Sequence, residues 1–433
     1  MESVSKKVNV RAAAKEKVNG PYSILTLDES GVQAHDIAGD GTLLFVGQVV
    51  PVASLRVFDQ ETKKDLGVFP APARGHIVPF KFRLANYEKI GSDGSKGTLY
   101  LLDGVYPKIA GFHDALILRY DYEYSREEGL KAVLVRESRV PSNTVPFRDV
   151  LEGTRPDGAM FITGFDLLDD KKVVMADCFA GVMWLFDLET EELTLAFTHR
   201  DFWCQPWPED MTITLSDGTV QDGFSGWTHK NRKELIPFKW AVPAFEGLDR
   251  KIFYGLHGVS IYSNESGRKV VFVSPATPGI YAIEEAELTR TDVPCDQKGF
   301  ETIVPGVKGL TSYVAEVQAD VYNPGSPWLY FQRVMSNGNE VPDEAVAEWK
   351  EKYWPLFRVN METREIEFVA DDWKIWDYCT NNNVIPGKPG YMLLTSTPVQ
   401  QERIPHASAL LEDMSDFSGL SEDFVFPVIE VKI

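Results

Sequence analysis

What this chain has little of narrows its chemistry before any motif is read. Cysteine is scarce, and Cys178, Cys204, Cys295 and Cys379 lie far apart without a CxxC pair. Neither a zinc site nor a disulfide framework is indicated, and reduced thiols are expected. Basic charge is in deficit, with 44 Lys and Arg against 64 Asp and Glu and a formal net charge of -20. Nucleic acid is therefore not an expected partner. No apolar run approaches the ~20 residues of a membrane-spanning helix, so no membrane partner is expected either. Amphipathic helical periodicity is almost absent. The GxSxG, HExxH, Walker A and GxGxxG patterns do not occur, which removes the usual support for serine hydrolase, zinc protease, nucleotide and dinucleotide readings.

The first twenty residues carry Lys6, Lys7, Arg11, Lys15 and Lys17 without the apolar centre of a signal peptide. A flexible tail over 1–20 and one domain over 21–433 are expected, in a soluble cytoplasmic protein, secretion staying open if a leader was removed. Asn264-Glu265-Ser266 is a lone glycosylation sequon of the kind that arises by chance.

What is present is a repeat. Hydrophobic residues make up 44% and charged residues 25% of the chain, enough apolar material for a packed core. Short apolar runs recur at Gly41–Val46, Gly97–Leu102, Lys172–Asp177, Lys269–Ser274, Trp328–Gln332 and Gly390–Thr395. A second element follows most of them: Leu55–Asp59, Ile117–Asp121, Met183–Asp187, Gly279–Ile283 and Leu356–Asn360. Several end in Asp or Asn, which suits a polar turn into a further strand, as in Asp187–Phe197. A unit of about four strands recurring about six times predicts an all-β, six-bladed β-propeller, because radial repetition protects sheet edges. A pair of all-β sandwiches is the alternative.

Tyr22–Leu27 and the C-terminal run Phe424–Val431 lack blades of their own and are expected to share one. The segment 199–251 interrupts the repeat and is rich in aromatics, among them Phe202, Trp203, Trp207, Trp227 and Trp240. An insertion of that length and composition is expected to cap one face.

Thr163–Asp177 with Val182–Asp187, and His257–Tyr262 leading to Val271–Ser274, resemble blades of the gluconolactonase, senescence-marker and strictosidine-synthase-like superfamily. The resemblance runs over roughly 30 to 400 as a repeat pattern and implies a six-bladed propeller. Lactone-hydrolysing members hold a divalent cation through a Glu, two Asn and an Asp at blade starts. Here Thr163-Gly164 and His257-Gly258 stand at the Asn-Gly positions, and His35-Asp36 stands where the Glu belongs. Thr and His are poor replacements for the oxygen donors a hard cation prefers, so no metal is expected. A transition metal on His35, His76 and His257 is the alternative.

Metal-free relatives in the strictosidine-synthase branch carry out condensation and cyclisation, and the chain is similar in general character to fungal secondary-metabolism propellers that catalyse cycloadditions. The resulting expectation is a cofactor-independent cyclase or lyase of small apolar molecules, in the manner of a hetero-Diels–Alder catalyst. His257, His35 and Thr163 are its channel-facing polar groups and Asp177 orients a donor. Trp203, Trp207, Trp227, Trp240 and His76 shape the pocket. A metal-dependent lactone hydrolase and a non-enzymatic ligand- or protein-binding propeller stay open.

Overall fold

The computed structural model describes residues 10–11, 22–25, 34–48, 54–77, 79–103, 114–142, 160, 162–177, 181–202, 212–214, 220–222, 255–274, 277–305, 314–320, 323, 325–333, 356–370, 382–384, 390–395 and 428–433. They form an all-β structure of repeated antiparallel sheets, in which consecutive strands pair as neighbours.

The first sheet comprises Ala34–Gly39, Leu43–Gln48, Ser54–Asp59 and Asp65–Val68. The second comprises Pro79–Ile90, Gly94–Asp103, Ala115–Ser125 and Gly129–Val140. Ile162–Leu167, Lys172–Asp177, Val182–Asp187 and Leu193–Thr198 make the third. Val259–Asn264, Gly267–Ser274, Thr277–Glu284 and Glu301–Pro305 make the fourth, with a short helix at Glu285–Leu288. The fifth holds Val314–Ala319, Trp328–Arg333, Leu356–Asn360 and Ile366–Ala370, and Val10–Arg11 adds a parallel strand on its outer edge. The sixth is assembled from Asn382–Val384, Tyr391–Thr395, Val428–Lys432 and Tyr22–Leu25. The two unassigned terminal runs do share a sheet: Tyr22–Leu25 pairs antiparallel with Val428–Val431.

Each apolar run of the repeat is a second strand and each following element a third strand. The second strand reads as a continuous apolar run because both of its faces are covered by neighbouring sheets; Val173 to Asp177 are all buried. Outer strands alternate instead, as along Gly129–Val140. The turn after the third strand repeats in atomic detail. Asp59 Oδ1 accepts the N–H groups of Glu61 and Thr62 at 3.0 and 2.8 Å. Asp187 does the same for Glu189 and Thr190, and Asn360 for Glu362 and Thr363. The fifth turn residue is left-handed each time, with φ of 62° at Lys63, 59° at Glu191 and 63° at Arg364. An Asx turn followed by one left-handed residue closes a tight hairpin, which is why Asp or Asn ends these elements.

Apolar clusters lie between neighbouring sheets. Phe45 and Phe69 of the first meet Tyr120 and Tyr122 of the second, Tyr100 and Ile117 of the second join Phe165 and Trp184 of the third, and Phe197 of the third meets Phe272 of the fourth at 5.6 Å. Val271 and Tyr262 pack with Val317 and Phe331 of the fifth. Leu393 of the sixth returns to Ile37, Leu44 and Phe58 of the first, where Gln60 Nε2 also donates to Glu430 Oε2 at 2.8 Å. The first strands follow the same order: first to second, on through third, fourth and fifth to sixth, and from sixth back to first.

Within the insertion the structure describes Arg200–Phe202 and a hairpin of Thr212–Thr214 with Val220–Asp222. Phe202, counted among the lid aromatics, is fully buried against Phe197, Phe272, Tyr281 and Phe300. It belongs to the core between the third and fourth sheets, because the chain has only just left the last strand there. No helix among the described residues is long and apolar enough to cross a membrane.

Candidate active site

The first strands of the sheets begin irregularly, and that irregularity collects polar groups. Register shifts fall between Ala34 and Asp36, Pro79 and Lys81, Ile162 and Gly164, and Val314 and Val317. In the fourth sheet His257 and Gly258 continue the pairing ahead of the strand, His257 N donating to Val273 O at 3.0 Å and Val273 N to Gly258 O at 3.1 Å. A bulge re-aims the side chain it carries, so these strand starts place side chains that regular alternation would not. Beyond the shift, polar and apolar residues alternate, as in Lys81-Phe82-Arg83 and Glu316-Val317-Gln318. The polar members are nevertheless out of water: Asp36 is 1% exposed, Lys81 3% and Glu316 6%.

Four sheets meet in one ion cluster. The Lys81 ammonium is paired with Glu316 Oε1, and His257 Nδ1 lies 3.3 Å from that same oxygen. Asp36 stands close enough to feel the charges of Lys81, Arg83 and Glu316. Its Oδ2 accepts the Phe82 N–H at 2.7 Å, whereas its Oδ1 has no hydrogen-bond partner among the described residues. The two carboxyls respond oppositely. Burial pushes Asp36 from 3.8 up to about 6, against the pull of Lys81 and Arg83. Burial also works to raise Glu316, but Lys81 and the His257 contact outweigh it and hold the carboxyl below the ordinary glutamate range.

A second set ties adjacent sheets together. Asp166 Oδ2 accepts the Ile261 N–H at 2.8 Å and its Oδ1 lies 3.1 Å from Arg83 Nε. Arg83 also donates to Val259 O at 3.0 Å. Ser260 Oγ accepts the Ala319 N–H at 3.0 Å. A first-strand side chain thus takes up an N–H of the next first strand, which would otherwise be buried without a partner. None of Lys81, Arg83, Glu316 and Asp166 was singled out from the sequence, and Asp36 entered only as the neighbour of His35. The signal that could have found them is charged residues alternating with apolar ones at strand starts, in a fold whose inner strands are covered.

Of the expected site residues, the structure brings Thr163 and His257 together. Thr163 Oγ1 donates to the carbonyls of His257 and Leu256 at 3.2 and 3.4 Å. Asp177, across the strand pair from Ile162, accepts from Trp184 Nε1 at 3.4 Å, and its carbonyl closes a turn with Gly181 N–H at 2.9 Å. His35 lies at the register shift of the first sheet; its side chain is outside the described residues. His76 is half-buried in the connection before the second sheet, its carbonyl accepting from Arg74 Nε at 3.3 Å. Trp203, Trp207, Trp227 and Trp240 lie outside the described residues. Phe202 of the same insertion is described and lies against the residues just before His257: a Cβ on Gly255 would sit 2.9 Å from Phe202 O.

The residues do not fit the hard cation that the family resemblance implies. The Thr163 hydroxyl is donated to backbone carbonyls, His257 Nδ1 faces Glu316, and Lys81 already supplies the positive charge there. Among the described residues no group of three or more His, Cys, Asp or Glu is arranged to hold a metal ion.

Gly164 makes this approach possible. A Cβ there would collide with the His257 carbonyl and stand 3.1 Å from Val259 N. Gly164→Ala is expected to cost about 1–3 kcal/mol by forcing the third and fourth sheets apart, read as a lower urea midpoint. An unaltered midpoint would mean that the two strands separate freely.

Neither a family model nor a curated protein sequence matches the chain. Among solved structures it is similar to U3-55K, at 9% identity over 95% of this chain and 98% of that one, with a TM-score of 0.38. It is also similar to a catalytically inactive virginiamycin B lyase from Staphylococcus aureus with quinupristin, at 9% identity over 95% and 99% with a TM-score of 0.40. A streptogramin B lyase gives 8% identity over 86% and 94%, with a TM-score of 0.37. Likenesses this distant leave the functional reading to the residues of this chain.

Proposed function

We propose that the six sheets are the blades of a closed six-bladed propeller, and that its axis carries the active site of a cofactor-independent cyclase or lyase for small, largely apolar molecules. The return of the sixth sheet onto the first supports closure. The observation that carries the activity is the buried contact of His257 with a Glu316 already paired to Lys81. Glu316 at Nδ1 fixes the ring orientation and holds the proton on that nitrogen, so Nε2 is the atom that exchanges a proton with a ligand. Thr163 anchors the backbone of the same histidine. Glu316 and Lys81 are positioning residues in this scheme.

Ionic ring closure and elimination both need charge stabilised on an oxygen and a proton moved, and preorganised ions in a dry site do this without reorganisation. A hetero-Diels–Alder-type cycloaddition asks least of the protein, since enclosure and one hydrogen bond to an oxygen-bearing heterodiene suffice. Trp203, Trp207, Trp227 and Trp240 of the insertion would supply the apolar walls.

The test is turnover of a panel of small hydroxylated polyenes, phenols and lactones, followed by chromatography and mass spectrometry. His257→Ala is expected to lower turnover by ~100-fold or more, and dialysis against a strong chelator to leave it unchanged. Turnover lost on chelation and restored by calcium would transfer the reading to lactone hydrolysis. A ligand held at the axis without turnover would make the chain a binding propeller.

A further inference from the structure

Three first-strand side chains perform the same structural task, and one of them is over-equipped for it. Ser260 takes up the Ala319 N–H with a neutral hydroxyl, which costs no buried charge. Asp166 takes up the Ile261 N–H with one oxygen, and its other accepts the Leu167 N–H at 2.8 Å beside Arg83. Both of its oxygens are occupied and its charge is compensated. Asp36 takes up the Phe82 N–H with Oδ2 and leaves Oδ1 buried with no hydrogen-bond partner among the described residues. A serine or asparagine would bridge the sheets as well. A buried acceptor with nothing to accept is costly, and such departures from good construction mark places where the fold serves something else.

We propose that Asp36 is the proton acceptor of this site, its Oδ1 taking the proton of an acidic hydroxyl, a phenol or an enol, on the bound molecule. This rests on the axial site proposed above and names the group in it that the sequence did not single out. The O–H bond breaks, its proton moves to Oδ1, and the electron pair stays on the ligand oxygen. Lys81 and Arg83, the cations that act on Asp36, offset the charge that develops there. The pair then passes through the ligand, and Oδ1 gives the same proton to the atom that receives the pair, so each turnover leaves the Asp36 carboxylate as it began.

The two buried carboxyls are sorted to match. Glu316 is pulled down by Lys81 and His257 and stays ionised, while burial raises Asp36 toward the working range of a proton-transfer group. A pair of acids pushed apart in this way is the usual sign that one is a fixed charge and the other carries the proton. An acidic hydroxyl is also the donor best matched to a carboxylate, since an ordinary alcohol or amide gives up its proton far too reluctantly.

The probe is 4-nitrophenol, with 4-nitroanisole as the equally sized molecule that has no proton to give. The wild-type chain is expected to bind the phenol more tightly than the ether. Near neutral pH, where the Asp36 carboxyl is mostly ionised and the phenol still keeps part of its proton, phenol binding is expected to produce a carboxylic-acid C=O stretch in the infrared difference spectrum. Asp36→Asn keeps an oxygen for the Phe82 N–H. It is expected to keep the wild-type circular dichroism, to bind the phenol at least about 10-fold more weakly, and to lack the stretch. The infrared arm needs only the wild-type chain, so it decides even if the variant misfolds: phenol bound without a new carboxylic-acid band overturns the proposal. Equal binding of phenol by the two chains, or of phenol and ether by the wild type, overturns it as well and leaves the axial site standing. Binding of neither probe removes the axial site and the proposal together.

Discussion

Asp36→Asn is expected to unfold at a higher temperature than the wild type above about pH 6, and at nearly the same temperature below pH 3.8. The Asp36 carboxyl titrates at 3.8 in an exposed chain and at about 6 in the folded one. Between those values the folded chain holds a proton that the unfolded chain has released. The stabilisation from the protonated group is therefore complete below 3.8, falls as pH rises through the window, and is lost above 6. At roughly 1.4 kcal/mol per pKa unit the loss is about 3 kcal/mol. Burial is the cause, and Lys81 and Arg83 recover only part of its cost. The amide has no charge to bury, so its advantage should open with pH. Paired melts of the two chains across that range check it. A gap that stays constant with pH would mean that Asp36 is hydrated and ionises normally.

Breaking the Lys81–Glu316 pair from one side should cost more than removing it altogether. Lys81→Met leaves a carboxylate in a dry cluster that already contains Asp36. The expected loss is about 3–5 kcal/mol, the range for stranding one member of a buried ion pair. Adding Glu316→Gln removes the stranded charge and should restore more than half of it, while an amide oxygen still faces His257 Nδ1. Urea midpoints of the wild type, both single variants and the double variant measure the coupling. A single-variant loss below ~1 kcal/mol, the range for exposed pairs, would mean that water reaches the pair.

The repeat was legible because its signals are local. Val173–Ala176 shows as a strand since both faces of a second strand are covered, and covered strands accept only apolar residues. Asp59, Asp187 and Asn360 show as turns since their side chains bond backbone two and three residues on. The equivalence of Thr163-Gly164 and His257-Gly258 was visible for the same reason, and the glycine lets the two strand starts touch.

The ion cluster was not legible, because its members meet only when the sheets assemble. Lys81 and Glu316 are 235 residues apart, and in the chain each reads as a solvent-facing charge on a strand. The sixth sheet needs Tyr22–Leu25 and Val428–Lys432 from opposite ends of the chain, which pattern could suggest but only pairing could join. Strand identity, turn chemistry and repeat length come from neighbours within a few residues, so composition and spacing decided them. Which charges are buried, which oxygen of Asp36 is left without a hydrogen-bond partner among the described residues and which carboxyl keeps its proton depend on the field of groups brought from other strands. That field exists only in the folded chain.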